Sequence, residues 1–100
     1  MADHLRDLSS ATPHAALSVP QQALWWLRKG AFAVGPEWNK AHKLCQSDEG
    51  DPQHDLVHAL AHWIEGDEPN AAYWYRRVQG PRATTISEEW ERIAKIVGAK

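Results

Sequence analysis

Cysteine is almost absent from this chain of 100 residues, since Cys45 is the single one. No disulfide can form within the chain, and a reducing compartment is expected. No stretch approaches the roughly 18 apolar residues of a membrane span. Acidic Asp3 and Asp7 stand where a secretory signal would carry basic residues. These absences predict a soluble cytoplasmic protein that does not associate with a membrane.

A strong charge of either sign is also missing, because the formal net charge is only -2. Proteins that bind nucleic acid usually carry a basic patch or stripe, so we expect no nucleic-acid partner. The length suits one hydrophobic core and is too short for two. Tryptophan is abundant, with six residues against one Phe and one Met. Each indole can bury about 200 Å², so these rings are expected to supply much of the core.

Capping and helix-breaking residues divide the chain into five predicted α-helices. Ser18 with Gln21, and Thr85 with Glu88, have the spacing of a capping box. Prolines in first turns and glycines at ends supply the other limits. The resulting helices span about residues 19–29, 36–46, 52–65, 68 to a stop at Gly80-Pro81, and 86–98. Residues 1–17 lack periodicity and are predicted to form a mobile or loosely docked arm, and residues 18–100 a single helical domain.

The predicted helices form pairs. The short connection after residue 65 forces the third and fourth helices to run antiparallel. Residues 23–30 align with residues 59–66 at matching Ala, Leu and Gly positions, a spacing close to the roughly 34 residues of tetratricopeptide repeats. We therefore predict an all-α fold, a compact bundle of about five helices with two antiparallel helical hairpins and a C-terminal capping helix. Trp25 is expected to point away from the core, where outward aromatic residues could form a homodimer interface.

Three histidines provide the most specific chemical pattern. His54, His58 and His62 follow one another at every fourth position of the third helix. Imidazoles four residues apart can reach one metal ion. The stripe lies almost opposite Leu60, however, and this position also suits the solvated polar face of an amphipathic helix. Spacing alone leaves both interpretations open.

If another helix packs over this histidine stripe, a binding site becomes the better interpretation. His42 of the second helix would then become a third ligand, with Glu65 or Asp55 as a carboxylate ligand or an orienting partner. The same histidines could instead surround a small-molecule pocket. Cys45 lies three residues after His42, but it falls in an apolar stripe and is expected to be a core residue without catalytic function.

A second candidate surface combines aromatic and basic residues. Arg76 and Arg77 directly follow Tyr73-Trp74-Tyr75. Such a combination can hold a phosphate, a carboxylate or a protein partner through cation–π contacts. The arginines can equally be solvated charges that offset the acidic residues before them.

Three sequence blocks resemble a family of small uncharacterised bacterial and fungal proteins. The blocks are Trp38 to Gln46, Val57 to His62, and Glu65 to Arg77, and the family pattern reads W-x-x-A-H-x-x-x-Q, H-A-x-x-H and E-G-D-x-x-N-A-x-Y-W-Y-R-R. The resemblance covers about residues 23–80 and implies an all-helical fold without assigning an activity. It implies that the motif positions are Trp38, His42, Gln46, His58, His62, Asp67, Asn70, Tyr73, Trp74, Tyr75, Arg76 and Arg77.

The function hypothesis that best fits these patterns is a non-enzymatic interaction or small-ligand-binding module, with an unknown protein or small molecule as partner. Its candidate binding residues are His42, His58, His62, Tyr73, Trp74, Arg76 and Arg77. The alternative is a metal-dependent or acid/base enzyme that uses His42, His58 and His62. A divalent metal held by these three histidines is the only cofactor that the sequence suggests.

Overall fold

Five α-helices form the regular secondary structure of the computed structural model, which describes residues 3–78 and 81–98. Within these residues there is no β-strand, so the all-α prediction is confirmed. None of the described helices combines the length and apolar character needed to cross a membrane. The helices are α1 (Val19–Lys29), α2 (Pro36–Gln46), α3 (Pro52–Ile64), α4 (Glu68–Arg77) and α5 (Ile86–Gly98).

Side-chain caps explain why the helices begin where the sequence predicts. The Ser18 hydroxyl accepts a hydrogen bond from the Gln21 backbone N–H, and the Gln21 side chain accepts one from the Ser18 N–H. Asp51 at the start of α3 accepts from the His54 N–H, and Asp67 at the start of α4 accepts from the Asn70 N–H. These bonds satisfy N–H groups that have no partner inside the helix, and each contributes about 1 kcal/mol.

The end of α4 differs from the prediction. The helix ends at Arg77, because Val78 has the extended backbone angles φ −119° and ψ 163°. Gly80, which was expected to help stop the helix, lies outside the described residues. Beyond the undescribed residues 79–80, the Ala83 backbone N–H donates a hydrogen bond to the Glu89 carboxylate of α5.

The helices pack as two pairs closed by a fifth element. Helix α1 packs on α2, and α3 packs on α4 through the short Glu65–Asp67 connection. Helix α5 packs against α1 and α3. Trp90 of α5 is completely buried there, and its indole N–H donates to the Leu24 carbonyl oxygen at 2.8 Å. The C-terminal helix therefore completes the core, as expected.

Trp25 corrects one expectation, because its side chain is buried and does not point outward. The N-terminal segment, residues 3–17, covers it. Leu5 and Leu17 of this segment belong to the hydrophobic core, and the Asp7 carbonyl oxygen accepts a 2.8 Å hydrogen bond from the Trp25 indole. The helical wheel of α1 gave the wrong orientation because residues outside the five helices supply part of the core. Trp25 is thus unavailable for a homodimer interface.

A buried carboxylate joins α4, α5 and the connection between them. Glu89 has no exposed surface. It accepts hydrogen bonds from the Tyr75 hydroxyl at 2.8 Å, from the Ala83 N–H at 2.8 Å and from the Arg92 guanidinium at 2.7 and 2.8 Å. Burial alone would raise the pKa of Glu89, but these donors hold it below its usual value. The carboxylate is therefore ionised and fully bonded at neutral pH.

We expect Glu89→Gln to lower the free energy of unfolding by about 3 kcal/mol, because the amide removes a buried negative charge that Arg92 needs. Urea denaturation at pH 7 measures this change. Tyr75→Phe is the matched control, since it removes one donor while the others remain, and it should cost about 1 kcal/mol. Equal losses in the two variants would contradict the central role of the carboxylate.

Candidate metal centre

Three histidines from two helices converge in the interior of the bundle. His42 lies on α2, and His58 and His62 lie on α3. Each has a ring nitrogen within 4.8 Å of a ring nitrogen of the other two. The Nε2 atoms of His42 and His58 are 3.0 Å apart. The structure thus brings together the three residues that the sequence suggested as metal ligands, and we call them the histidine trio.

The trio lies away from solvent. His58 is 2% exposed and His62 is 6% exposed, while His42 is partly buried. The alternative prediction of a solvated polar face is therefore wrong. That prediction failed because α2 and α4 both pack against α3 and cover its histidine stripe.

His54, the first histidine of the stripe, does not join the trio. Its side chain is also buried, but its Nδ1 lies 2.7 Å from the Asp51 carboxylate at the start of α3. Asp55, one of the two candidate carboxylates, is buried as well and accepts a hydrogen bond from the Gly50 backbone N–H. These two residues hold the loop before α3 and do not belong to the group formed by the trio.

Two tryptophans stack against the trio. The Trp38 ring lies parallel to His42, with centroids 4.8 Å apart and planes 13° apart. Trp74 stacks on His58, with centroids 4.2 Å apart and planes 23° apart. The Trp38 indole N–H donates to the Ala61 carbonyl oxygen at 2.8 Å, which fixes this ring against α3. The imidazoles are thus held in position by flat apolar neighbours.

Burial keeps two of the imidazoles neutral. It lowers the pKa of His58 to about 3, and the nearby His42 and His62 act in the same direction. Burial also lowers the pKa of His42, with a further contribution from His62. A buried group resists becoming charged when no opposite charge lies against it. At pH 7 both imidazoles are therefore uncharged, which is the form of histidine that binds metals.

Glu65 orients the third imidazole. Its carboxylate is hydrogen-bonded to Nδ1 of His62. A proton held on Nδ1 by this bond leaves Nε2 of His62 with the free lone pair. Metal-binding histidines commonly give their second N–H to a carboxylate in this way, which fixes the tautomer and raises the basicity of the ligand. Asp67 also lies near His62 and Glu65, but its carboxylate caps α4.

The separation of His42 and His58 fits two neighbouring ligands of a tetrahedral metal ion. Metal–nitrogen distances of about 2.0–2.1 Å place neighbouring ligand nitrogens about 3.3 Å apart in a tetrahedral site. The 3.0 Å between the Nε2 atoms of His42 and His58 is close to this value. In the metal-free arrangement, one of these nitrogens donates a hydrogen bond to the other. Within the described part of the chain, Nδ1 of His58 has no hydrogen-bond partner.

The predicted arginine surface is only partly connected to the trio. Trp74 is buried and touches His58, whereas Tyr73 is exposed. The Arg77 guanidinium lies 5.3 Å from the centroid of the Trp74 ring, and it donates to the Tyr73 hydroxyl at 3.3 Å. Arg76 is exposed. Arg77 therefore packs over aromatic rings at the surface beside the trio, and Arg76 remains in solvent.

Two further residues complete the comparison with the sequence. Cys45 is buried in the core as expected, and burial raises the pKa of its thiol, so it is no ready nucleophile. Trp38 was one of the motif positions implied by the family resemblance but not one of the candidate binding residues, although it forms one wall of the trio. Its position four residues before His42 places both side chains on one face of α2, and this spacing was a usable signal.

Comparisons with protein-family models, with curated proteins and with solved structures found no match to this chain. The resemblance of its motifs to a family of small bacterial and fungal proteins therefore stays a prediction. A function has to be argued from the residues of the site.

The buried histidines should make the metal-free protein sensitive to acid. The unfolded chain binds a proton at His58 near pH 6.5, whereas the folded chain does so only near pH 3. Unfolding therefore takes up a proton between these values, and stability falls as the pH drops below 6.5, by up to about 1.4 kcal/mol per unit for one histidine. Above pH 6.5 this contribution does not change with pH.

Urea denaturation between pH 7 and 5 in the presence of a chelator measures this dependence, in a range where most carboxylates stay ionised. His58→Phe keeps an aromatic ring beside Trp74 and should reduce the slope. His14→Gln, at an exposed position of the N-terminal segment, should leave it unchanged. A wild-type slope equal to that of His58→Phe would contradict the shifted pKa.

Proposed function

We propose that this protein is a non-enzymatic binding module whose ligand is a divalent transition-metal ion held by the histidine trio. The observation that carries the proposal is the convergence of three imidazoles from two helices, two of them buried and one partly buried, with one ring nitrogen of each within 4.8 Å of the others. Solvated surface histidines would not be kept in such a cluster by packing. Two of the three are also neutral at pH 7, because burial lowers the pKa of His42 and His58.

Preorganisation supports tight binding. The rings of Trp38 and Trp74 stack on His42 and His58, so little side-chain freedom is left to lose when a metal binds. Binding would replace the hydrogen bond between the Nε2 atoms of His42 and His58 by two coordination bonds, and the proton of the donating Nε2 would move to Nδ1 of the same ring. For these two histidines the Nε2–Nε2 distance changes by a few tenths of an ångström, from 3.0 Å to about 3.3 Å, and the ligand nitrogen of His62 lies within 4.8 Å of theirs.

The Glu65 carboxylate beside the trio compensates part of the positive charge of a bound metal ion. A divalent cation surrounded by three neutral imidazoles would be a costly buried charge. The Glu65 carboxylate, bonded to His62, offsets one of the two positive charges without itself binding the metal. Glu65 is thus the orienting carboxylate in this proposal.

The donor set selects the class of metal. Imidazole nitrogen suits Zn²⁺, Co²⁺, Ni²⁺ and Cu²⁺, whereas Mg²⁺ and Ca²⁺ prefer oxygen ligands. Three protein ligands leave a fourth tetrahedral position for water or for an atom of a bound molecule. Zn²⁺ is the ion we expect, because tetrahedral coordination by nitrogen is its preferred arrangement.

The test is a titration of protein prepared without a histidine tag and stripped with a chelator. Calorimetry with Zn²⁺ should show one ion per chain, and Co²⁺ should produce the visible absorption bands of a tetrahedral complex. His58→Ala and His62→Ala remove ligands and should weaken Zn²⁺ binding by more than about 100-fold. Glu65→Gln, which removes an orienting partner, should weaken it by about 10- to 100-fold.

His14→Gln is the matched control and should bind Zn²⁺ like the wild type, because His14 lies in the N-terminal segment outside the trio. Circular dichroism checks that each variant stays folded, and His42→Asn provides a smaller change at the partly buried position. Unchanged Zn²⁺ affinity in the ligand variants, or a wild-type protein that binds no metal, would overturn the proposal.

A further inference from the structure

A groove separate from the histidine trio lies where the N-terminal segment meets α1 and α2. Its volume is about 620 Å³, and its walls include Thr12, Pro13, Ala15, Gln22, Trp26 and Leu44. This volume falls within the roughly 300–1,000 Å³ typical of small-molecule sites. No histidine lines the groove, so the histidine trio is not part of it.

The groove combines an apolar wall with two cations. Trp26 and Leu44 are partly buried and supply flat and aliphatic surface. Lys40 and Lys43 of α2 complete the lining, and no acidic residue contributes to it. Among the described residues, neither lysine forms an ion pair. Lys40 and Lys43 therefore give the groove a positive charge. The chain as a whole has a formal net charge of -2.

The position of Lys40 indicates how a ligand would be held. Its ammonium group lies 5.3 Å from the centroid of the Trp26 ring, in the range of a cation–π contact. An aromatic ligand can replace the ammonium on the indole face, while the flexible lysine side chain moves to meet an anionic group. Lys43 lies one helical turn further along α2 and can contact the same anion.

We infer that this groove binds a small organic anion with a flat apolar body, of the aromatic carboxylate class. The ring of the ligand stacks on Trp26, and its carboxylate lies between Lys40 and Lys43. The apolar wall supplies affinity for the ring, and the two lysines supply selectivity for the charge. An inorganic anion cannot stack on Trp26, and a neutral aromatic compound cannot form an ion pair with Lys40 and Lys43.

The experiment uses 2-naphthoate as the probe and two-dimensional ¹H–¹⁵N NMR of the whole chain as the measurement. The indole N–H signal of Trp26, assigned by its loss in Trp26→Phe, should shift and saturate, together with the backbone signals of Lys40 and Lys43. The neutral methyl ester of 2-naphthoate should bind at least tenfold more weakly. Acetate alone should leave the Trp26 signal unchanged.

The double variant Lys40→Gln, Lys43→Gln should weaken naphthoate binding at least tenfold without weakening binding of the ester, because the ester needs only the indole face that the Lys40 ammonium otherwise covers. Both lysines are exposed, so the variant should fold normally, and an unaltered NMR spectrum away from the groove verifies this. Lys95→Gln, at an exposed position of α5, is the matched control and should bind like the wild type. Equal affinity for acid and ester, shifts centred on another indole, or full binding by the double variant would overturn the inference.

Discussion

The burial of α3 is the constraint on which the rest of the structure depends. This helix packs against each of the other four, and nine of its 13 residues are buried. Its polar stripe therefore has no solvent to face. Imidazoles placed there must stay neutral, find partners among themselves or bind a ligand, because an isolated buried charge is costly. The fold and the histidine trio thus have the same origin: α2 and α4, which complete the two hairpins, also enclose His58 and His62.

The helix limits could be predicted because they depend on local chemistry. Ser18, Asp51 and Asp67 each cap the helix that follows, and a cap acts within a few residues of the chain. Trp25 could not be placed in the same way. Its burial involves the N-terminal segment, whose Asp7 carbonyl oxygen accepts the hydrogen bond of the Trp25 indole, and a helical wheel contains no information about distant covering segments.

Spacing on α3 pointed to His58 and His62, but it also included His54, which does not join the trio. His42 entered only as a third ligand on the condition that another layer covers the stripe, and the burial of the trio could not be predicted. The polar stripe of α3 resembles a solvated face on a helical wheel. The composition of α3 disfavours a solvated face, because this helix has neither Lys nor Arg and its small residues Ala59 and Ala61 allow close packing. The i, i+4 spacing of Trp38 and His42 on α2 indicates the first of the two stacks. The stacking of Trp74 on His58 joins α4 to α3, and no pattern within one helix specifies it.

The most direct measurement for the central claim is a crystal structure of the zinc-loaded protein, with anomalous diffraction data collected on both sides of the zinc absorption edge. The account predicts one anomalous peak within about 2.0–2.1 Å of a ring nitrogen of each of His42, His58 and His62. In that structure, Glu65 should remain bonded to Nδ1 of His62. A peak at another cluster such as Asp48, Asp51 and His54, or a retained hydrogen bond between His42 and His58 with no metal beside it, would contradict the account.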